Sequence, residues 1–117
     1  MKNMKKYWPA VIIGVILIFV GAIIQAKKQP IAILFYGEAC PHCQNVEEYL
    51  RANQVREKVN FKELEVYNNE TNAQLLTSKA RQCHLDVSQG IGVPLFFDGK
   101  NCLTGDTDII NYFKTKL

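Results

Sequence analysis

Apolar positions along the chain change period several times, and each period predicts a different element. Tyr7 to Ala26 runs for 20 residues without a charged side chain. A helix of that length covers roughly 30 Å, the thickness of a bilayer's hydrocarbon layer. Ile31-Ala32-Ile33-Leu34-Phe35-Tyr36 is a short continuous apolar run, which predicts a strand covered on both faces. Val46, Tyr49, Leu50 and Val55 recur at helical spacing after Pro41, predicting a helix to about Asn53 and slightly beyond. Phe61, Leu64 and Val66 give an imperfect strand pattern over 60–66. Ala73, Leu76, Ala80 and Cys83 share one side of a helix predicted over 69–84. Val93 to Phe97 is apolar again, Asp98-Gly99 is a hairpin signal, and a short strand follows through Leu103. Thr104-Gly105-Asp106 then opens a last helix that buries Ile109, Ile110 and Phe113. After the N-terminal segment the order is β-α-β-α-β-β-α, an α/β class whose first three elements suggest a parallel β-α-β unit. There is no internal repeat or low-complexity tract.

Charge separates the chain at the same place as hydropathy. Of 14 Lys/Arg, three (Lys2, Lys5 and Lys6) precede the apolar run, which leaves 11 against 11 Asp/Glu afterwards. A neutral domain lacks the basic surface that draws nucleic acid, so no nucleic-acid partner is expected. Lysines ahead of an apolar run act instead as a topology signal that keeps the N-terminus cytoplasmic. Tyr7 and Trp8 fall where interfacial aromatics sit, and Pro9 is read as lying in a first helical turn. The expected organisation is a cytoplasmic N-terminus and single membrane anchor over 1–29, then an extracytoplasmic domain over 30–117. A cleaved signal peptide is the alternative. The run exceeds a signal's 7–15 apolar residues, and Ile24 is large where an Ala-x-Ala site ending at Ala26 needs a small residue. Both readings export the domain.

Cys40-Pro41-His42-Cys43 stands at the junction between the first strand and the following helix. Two cysteines at this spacing and place form a redox signature. A helix N-terminus offers free N–H groups and the positive end of the dipole, so a thiolate on Cys40 is stabilised. A stabilised thiolate is also a better leaving group, which makes the disulfide more oxidising. Pro41 suits a first helical turn, and His42 brings a donor or a positive charge near the sulfur. Cys40 is expected to be the exposed attacking sulfur and Cys43 the shielded resolving one. Half of a zinc site is one alternative, completed from Cys83, Cys102, His42 or His84, but Cys83 and Cys102 are not a close pair. A structural disulfide is another. Gln44 after the second cysteine removes c-type haem attachment. No metal or other cofactor is expected.

These residues resemble the thioredoxin superfamily in its small glutaredoxin-like form, over about Ile31 to Leu117. Phe35-Tyr36-Gly37-Glu38-Ala39-Cys40-Pro41-His42-Cys43 is similar to the family's strand-to-active-site segment, Gly92-Val93-Pro94 to its cis-proline loop, and Thr104-Gly105-Asp106 to the turn before the last glutaredoxin helix. The resemblance implies a thioredoxin-like fold, a cis Val93–Pro94 bond against the sulfurs, and pairing of the Val93 backbone with a substrate chain. Pro-His between the cysteines is similar to the thiol oxidases of the Dsb type, although this chain has no room for their inserted helical domain. Leu34 stands where thioredoxins carry a buried Asp, so no carboxylate is expected from that position to take a proton from Cys43.

In a glutaredoxin-like sheet Cys83 and Cys102 are both expected near the start of the strand that follows Pro94, within reach of a second disulfide, with two buried thiols or a redox relay as alternatives. That bridge would hold the loop before Pro94. His84 is read as a surface residue at a helix end, and Glu38 as a solvated loop acid. Asn69-Glu70-Thr71 matches a glycosylation sequon by chance in a chain whose N-terminus looks bacterial. The expected activity is protein thiol–disulfide exchange, as an oxidant of cysteine-containing exported proteins recycled by a membrane redox partner. The alternatives are an outward-facing reductase fed by a membrane electron carrier and a non-enzymatic metal-binding module. A glutathione-dependent glutaredoxin is weaker, because the loops around Cys40 and Pro94 lack basic residues.

Overall fold

The structure is a computed structural model that describes residues 4–23 and 31–117. Lys2, used above for topology, Ile24 and Ala26, used for the signal-peptide alternative, and the domain boundary between 29 and 30 lie outside the described residues. The first element is helix α1, Met4–Ile23. It is apolar and exposed along nearly its whole length, and it is the one helix among the described residues long and apolar enough to cross a membrane. The helix already includes Met4, so Pro9 sits in its second turn rather than its first. Its missing N–H leaves the Lys5 carbonyl without an i−4 partner there.

The remaining elements are β1 (Ile33–Tyr36), α2 (Pro41–Ala52), α3 (Val55–Lys58), β2 (Lys62–Glu65), α4 (Glu70–Gln82), β3 (Leu95–Phe97), β4 (Cys102–Thr104) and α5 (Asp106–Lys114). They follow the predicted order, with α3 added. The sheet runs β2-β1-β3-β4, with β1 parallel to β2 and antiparallel to β3, and β3 antiparallel to β4. Strand side chains alternate between faces, so the continuous apolar runs of β1 and β3 feed two cores at once. Leu34 and Phe96 join Val46, Leu50, Val55, Ile109 and Phe113 beneath α2 and α5. Ile33, Phe35, Leu95 and Phe97 join Val66 and Leu76 beneath α4.

Several local departures have chemical causes. The long second helix breaks because Asn53 donates its side-chain N–H to the Tyr49 carbonyl and Gln54 turns left-handed at φ 51. Val55 still reaches the core, from α3. Asn69 caps α4 by accepting the Asn72 N–H at 3.0 Å. At the far end of α4 the His84 N–H bonds Arg81 and the Leu85 N–H bonds Ala80, a Schellman closure with exposed His84 left-handed at φ 61. The hairpin signal at Asp98-Gly99 marks the turn between β3 and β4, which the Asp98 N–H closes on the Asn101 carbonyl at 3.0 Å. Asp98 holds it by accepting the Lys100 and Asn101 N–H groups, and Gly99 has φ 105.

Cys83 and Cys102 form a disulfide with Cα atoms 5.9 Å apart. Its place differs from the expectation. Cys102 pairs with Phe97 at the end of β3, while Thr104 lies opposite Leu95 beside Pro94. The bridge therefore ties the end of α4 to the hairpin end of β4 and reaches the Pro94 loop only through its beginning at Cys83.

Candidate redox site

The polypeptide leaves β1 at Tyr36 and turns through Gly37, Glu38 and Ala39 before α2 begins. Glu65 fastens this turn. Its carboxylate accepts the backbone N–H of Tyr67 at 2.6 Å, of Asn68 at 2.9 Å and of Glu38 at 3.5 Å. Desolvation pushes the Glu65 carboxyl up, but the backbone donors, Asn68 first, outweigh it and hold the carboxyl below its ordinary value. Exposed Glu38 adds a bond from the Asn68 side chain at 3.1 Å. Ala39 is left-handed at φ 58, a conformation that costs a residue with a Cβ about 1 kcal/mol.

Cys40 is the N-cap of α2 and Pro41 occupies its first turn, where no N–H is needed. Cys40 and Cys43 are joined in a disulfide with Cα atoms 5.2 Å apart. The Cys43 N–H points at Cys40 Sγ, 3.2 Å away, so a helix-end donor is already aimed at the sulfur that would carry charge. On its other side Cys40 Sγ lies 3.7 Å from the Val93 carbonyl. The Val93–Pro94 bond is cis, Pro94 is buried, and the Pro94 carbonyl accepts the Gly105 N–H at 3.1 Å. Contacts on both sides of Cys40 remove the expected contrast between an exposed and a shielded sulfur. In the disulfide form Cys40 is 6% exposed and Cys43 7%.

His42 projects outward, its side chain 71% exposed. Its ring does not bond either sulfur; Nδ1 lies 3.0 Å from Asp106 Oδ2, in the first turn of α5. The Asn45 side chain donates to the same oxygen at 2.7 Å. Asn45 first, and His42 after it, hold the Asp106 carboxyl down at about 2. Nothing in the local sequence pairs positions 64 apart, and Asp106 was legible only as a residue of the turn before the last helix.

Two cavities flank the disulfide. One of about 420 Å³ lies behind Cys43 and Leu34 and is also lined by Glu47, Arg56 and Glu63. Arg56 pairs with both carboxylates, donating to Glu63 through Nε at 2.8 Å, and the Glu63 bond is the main cause that raises its guanidinium. Glu47 of α2 and Glu63 of β2 thus line the same cavity as Cys43, with their carboxylates bound to Arg56. Glu47 stands one helical turn after Cys43, a spacing that could have revealed it. The second cavity, about 360 Å³, lies beside the cis-proline loop among Leu85, Asp86, Ile91, Val93 and Pro94. Among the described residues no group of three or more His, Cys, Asp or Glu gathers to hold a metal ion.

Comparison with solved structures places this arrangement in a known fold. The oxidised form of the DsbD C-terminal domain of Neisseria meningitidis aligns with TM-score 0.50 and 19% identity, over 89% of this chain and 94% of that one. The reduced form aligns with TM-score 0.49 and 21% identity, over 83% and 89%. The fold is thioredoxin-like. No protein-family model and no curated protein matches the chain. The α/β class read from hydrophobic periodicity and the thioredoxin-like architecture inferred from the motifs agree with this fold.

Proposed function

We propose that the chain is a thiol–disulfide oxidoreductase that oxidises cysteine-containing exported proteins at the outer face of a bacterial cell membrane. The observation that carries this reading is Cys40 at the tip of α2, disulfide-bonded to Cys43 and accepting that residue's N–H at 3.2 Å. The donor and the helix end favour Cys40 as a thiolate and leaving group, which drives electrons from substrate to enzyme. Cys40 takes the mixed disulfide and Cys43 resolves it. Val93 offers its backbone to the substrate chain, and Pro94 shapes that loop beside the 360 Å³ cavity. Residues 1–29 form the cytoplasmic N-terminus and anchor, and 30–117 the redox domain, which requires no cofactor. A membrane redox partner reoxidises it. The solved domain of similar fold is itself described in an oxidised form, which supports a redox role.

A reductase is the second reading, favoured by the cavity that Cys43 shares with Glu47 and Glu63. A carboxylate there would help Cys43 lose its proton, the step that completes reduction of a substrate disulfide. Equilibrating the protein in redox buffers separates the two. A Cys40–Cys43 potential well above thioredoxin's roughly −270 mV is expected, and a value at or below it selects the reductase. A Cys43→Ala variant should accumulate mixed disulfides on Cys40. Failure to trap any would remove the proposed order of attack.

A further inference from the structure

His42 lies between the two redox cysteines in sequence yet bonds neither sulfur. Its Nδ1 faces Asp106 Oδ2 at 3.0 Å instead. That oxygen also accepts from Asn45, and the other carboxylate oxygen accepts the Thr107 N–H at 2.9 Å. Asp106 begins α5, where the positive end of the helix favours a carboxylate. An ionised carboxylate only accepts hydrogen bonds, so Nδ1 must carry the hydrogen. Among the described residues Nε2 then has no partner, and the side chain holding it is 71% exposed. Asp106 is the charged group in contact with this ring, and Asn45, from α2 itself, is neutral.

We propose that Asp106 is a positioning residue of the redox site: it locks His42 as the Nδ1–H tautomer and leaves Nε2 free to take the proton of an incoming thiol. The inference rests on the oxidoreductase reading above. A substrate thiol gives its proton to Nε2, and the resulting thiolate attacks Cys40 Sγ. A substrate–Cys40 disulfide forms, the Cys40–Cys43 bond breaks, and Cys43 leaves as thiolate. The second substrate thiolate attacks the substrate sulfur of the mixed disulfide and expels Cys40. Two electrons have passed from the substrate dithiol to the enzyme. Of the two protons that the substrate thiols give up, Cys43 takes up one, delivered from His42, and the other passes to solvent, because Cys40 leaves as the stabilised thiolate.

The test uses the full chain in detergent and two probes that differ in one respect. Dithiothreitol must lose a proton to react, whereas the thionitrobenzoate anion is already ionised. In Asp106→Asn the rate with dithiothreitol at neutral pH is expected to fall about tenfold, a fraction of the roughly 10²–10⁴-fold that a positioned acid–base group supplies. The rate with thionitrobenzoate should be unchanged, and Asp106→Glu should restore part of the loss. Nitrogen NMR of the His42 ring should show Nδ1–H in the natural protein and a tautomer mixture in Asp106→Asn. Equal losses with both probes, or no loss with either, overturn the proposal. A natural chain whose Cys40–Cys43 disulfide does not react with dithiothreitol at all fails at the earlier step and overturns the oxidoreductase reading itself.

Discussion

Beneath the turn into the redox motif, the Tyr67 ring lies where a Gly37 side chain would be. A Cβ at Gly37 would overlap Cε2 and Cζ of that ring. Gly37→Ala is therefore expected to destabilise the fold by about 1–3 kcal/mol, the range for overpacking. Tyr67 is 60% exposed and can be removed without opening the core. In a Tyr67→Ala background most of the Gly37→Ala penalty should vanish, and denaturant melts of the four proteins measure this directly. Additive penalties would mean that the ring is not the obstacle. Asp106 supplies a residue-scale pH effect. Its carboxyl is depressed from 3.8 to about 2, first by Asn45 and then by His42. Folding thus favours the ionised form, so the contribution is complete above pH 3.8 and is lost as pH falls towards about 2. Asp106→Asn should flatten the acid limb of stability in that window, and superimposable limbs would remove the assignment. The Cys-x-x-Cys spacing and the Val93-Pro94 pair could be read from sequence because each is a local signal. The Asp106–His42 and Arg56–Glu63 contacts could not, because each depends on how separate elements come together.

The disulfide between Cys83 and Cys102 acts at the scale of elements, holding the end of α4 against β4. It spans 19 positions, and a loop of that length stabilises by about 3 kcal/mol on the chain-entropy account. Replacing both cysteines with alanine should lower stability by about that amount. The Cys40–Cys43 potential should stay unchanged, because the bridge lies at the hairpin end of β4 and meets the Pro94 loop only at its beginning, Cys83. A shifted potential would show that the two disulfides communicate. Periodicity revealed the elements themselves because each buries a face with a clear repeat: Leu76 and Ala80 on α4, Ile109 and Phe113 on α5. It missed the break at Asn53–Gln54, since Val55 continues the apolar repeat while the backbone reverses hand at Gln54. It did place Cys102 in the last short strand, but its partner there, Phe97 at the end of β3, was not legible, because a register is fixed by cross-strand partners and by the hairpin that Asp98 holds.

At the scale of the whole molecule, two kinds of apolar surface have different fates. Those of β1 and β3 are covered on both faces by helices, and Phe35, Leu95, Phe96 and Phe113 are fully buried. Those of α1 are not: Val11, Ile13, Leu17, Ile18 and Phe19 are all more than half exposed. At ~25 cal/mol per Å², an uncovered helix of this length carries a large cost in water, which a lipid environment removes. The 18-residue window Met4–Gly21 has mean hydropathy 1.6, so α1 can span a bilayer if it is retained. The full chain is expected to sediment with membranes and to resist extraction by alkaline carbonate. A chain lacking residues 1–29 should be soluble and keep the same Cys40–Cys43 potential, since every residue placed in the redox site lies after β1 begins. After reduction of intact cells, a membrane-impermeant thiol reagent should label Cys40. An N-terminus found by sequencing to begin after Ala26, in a chain released to the soluble fraction, would replace the anchor with a cleaved signal. Labelling of Cys40 only after lysis would place the domain on the cytoplasmic side and reverse the topology that the N-terminal lysines predict.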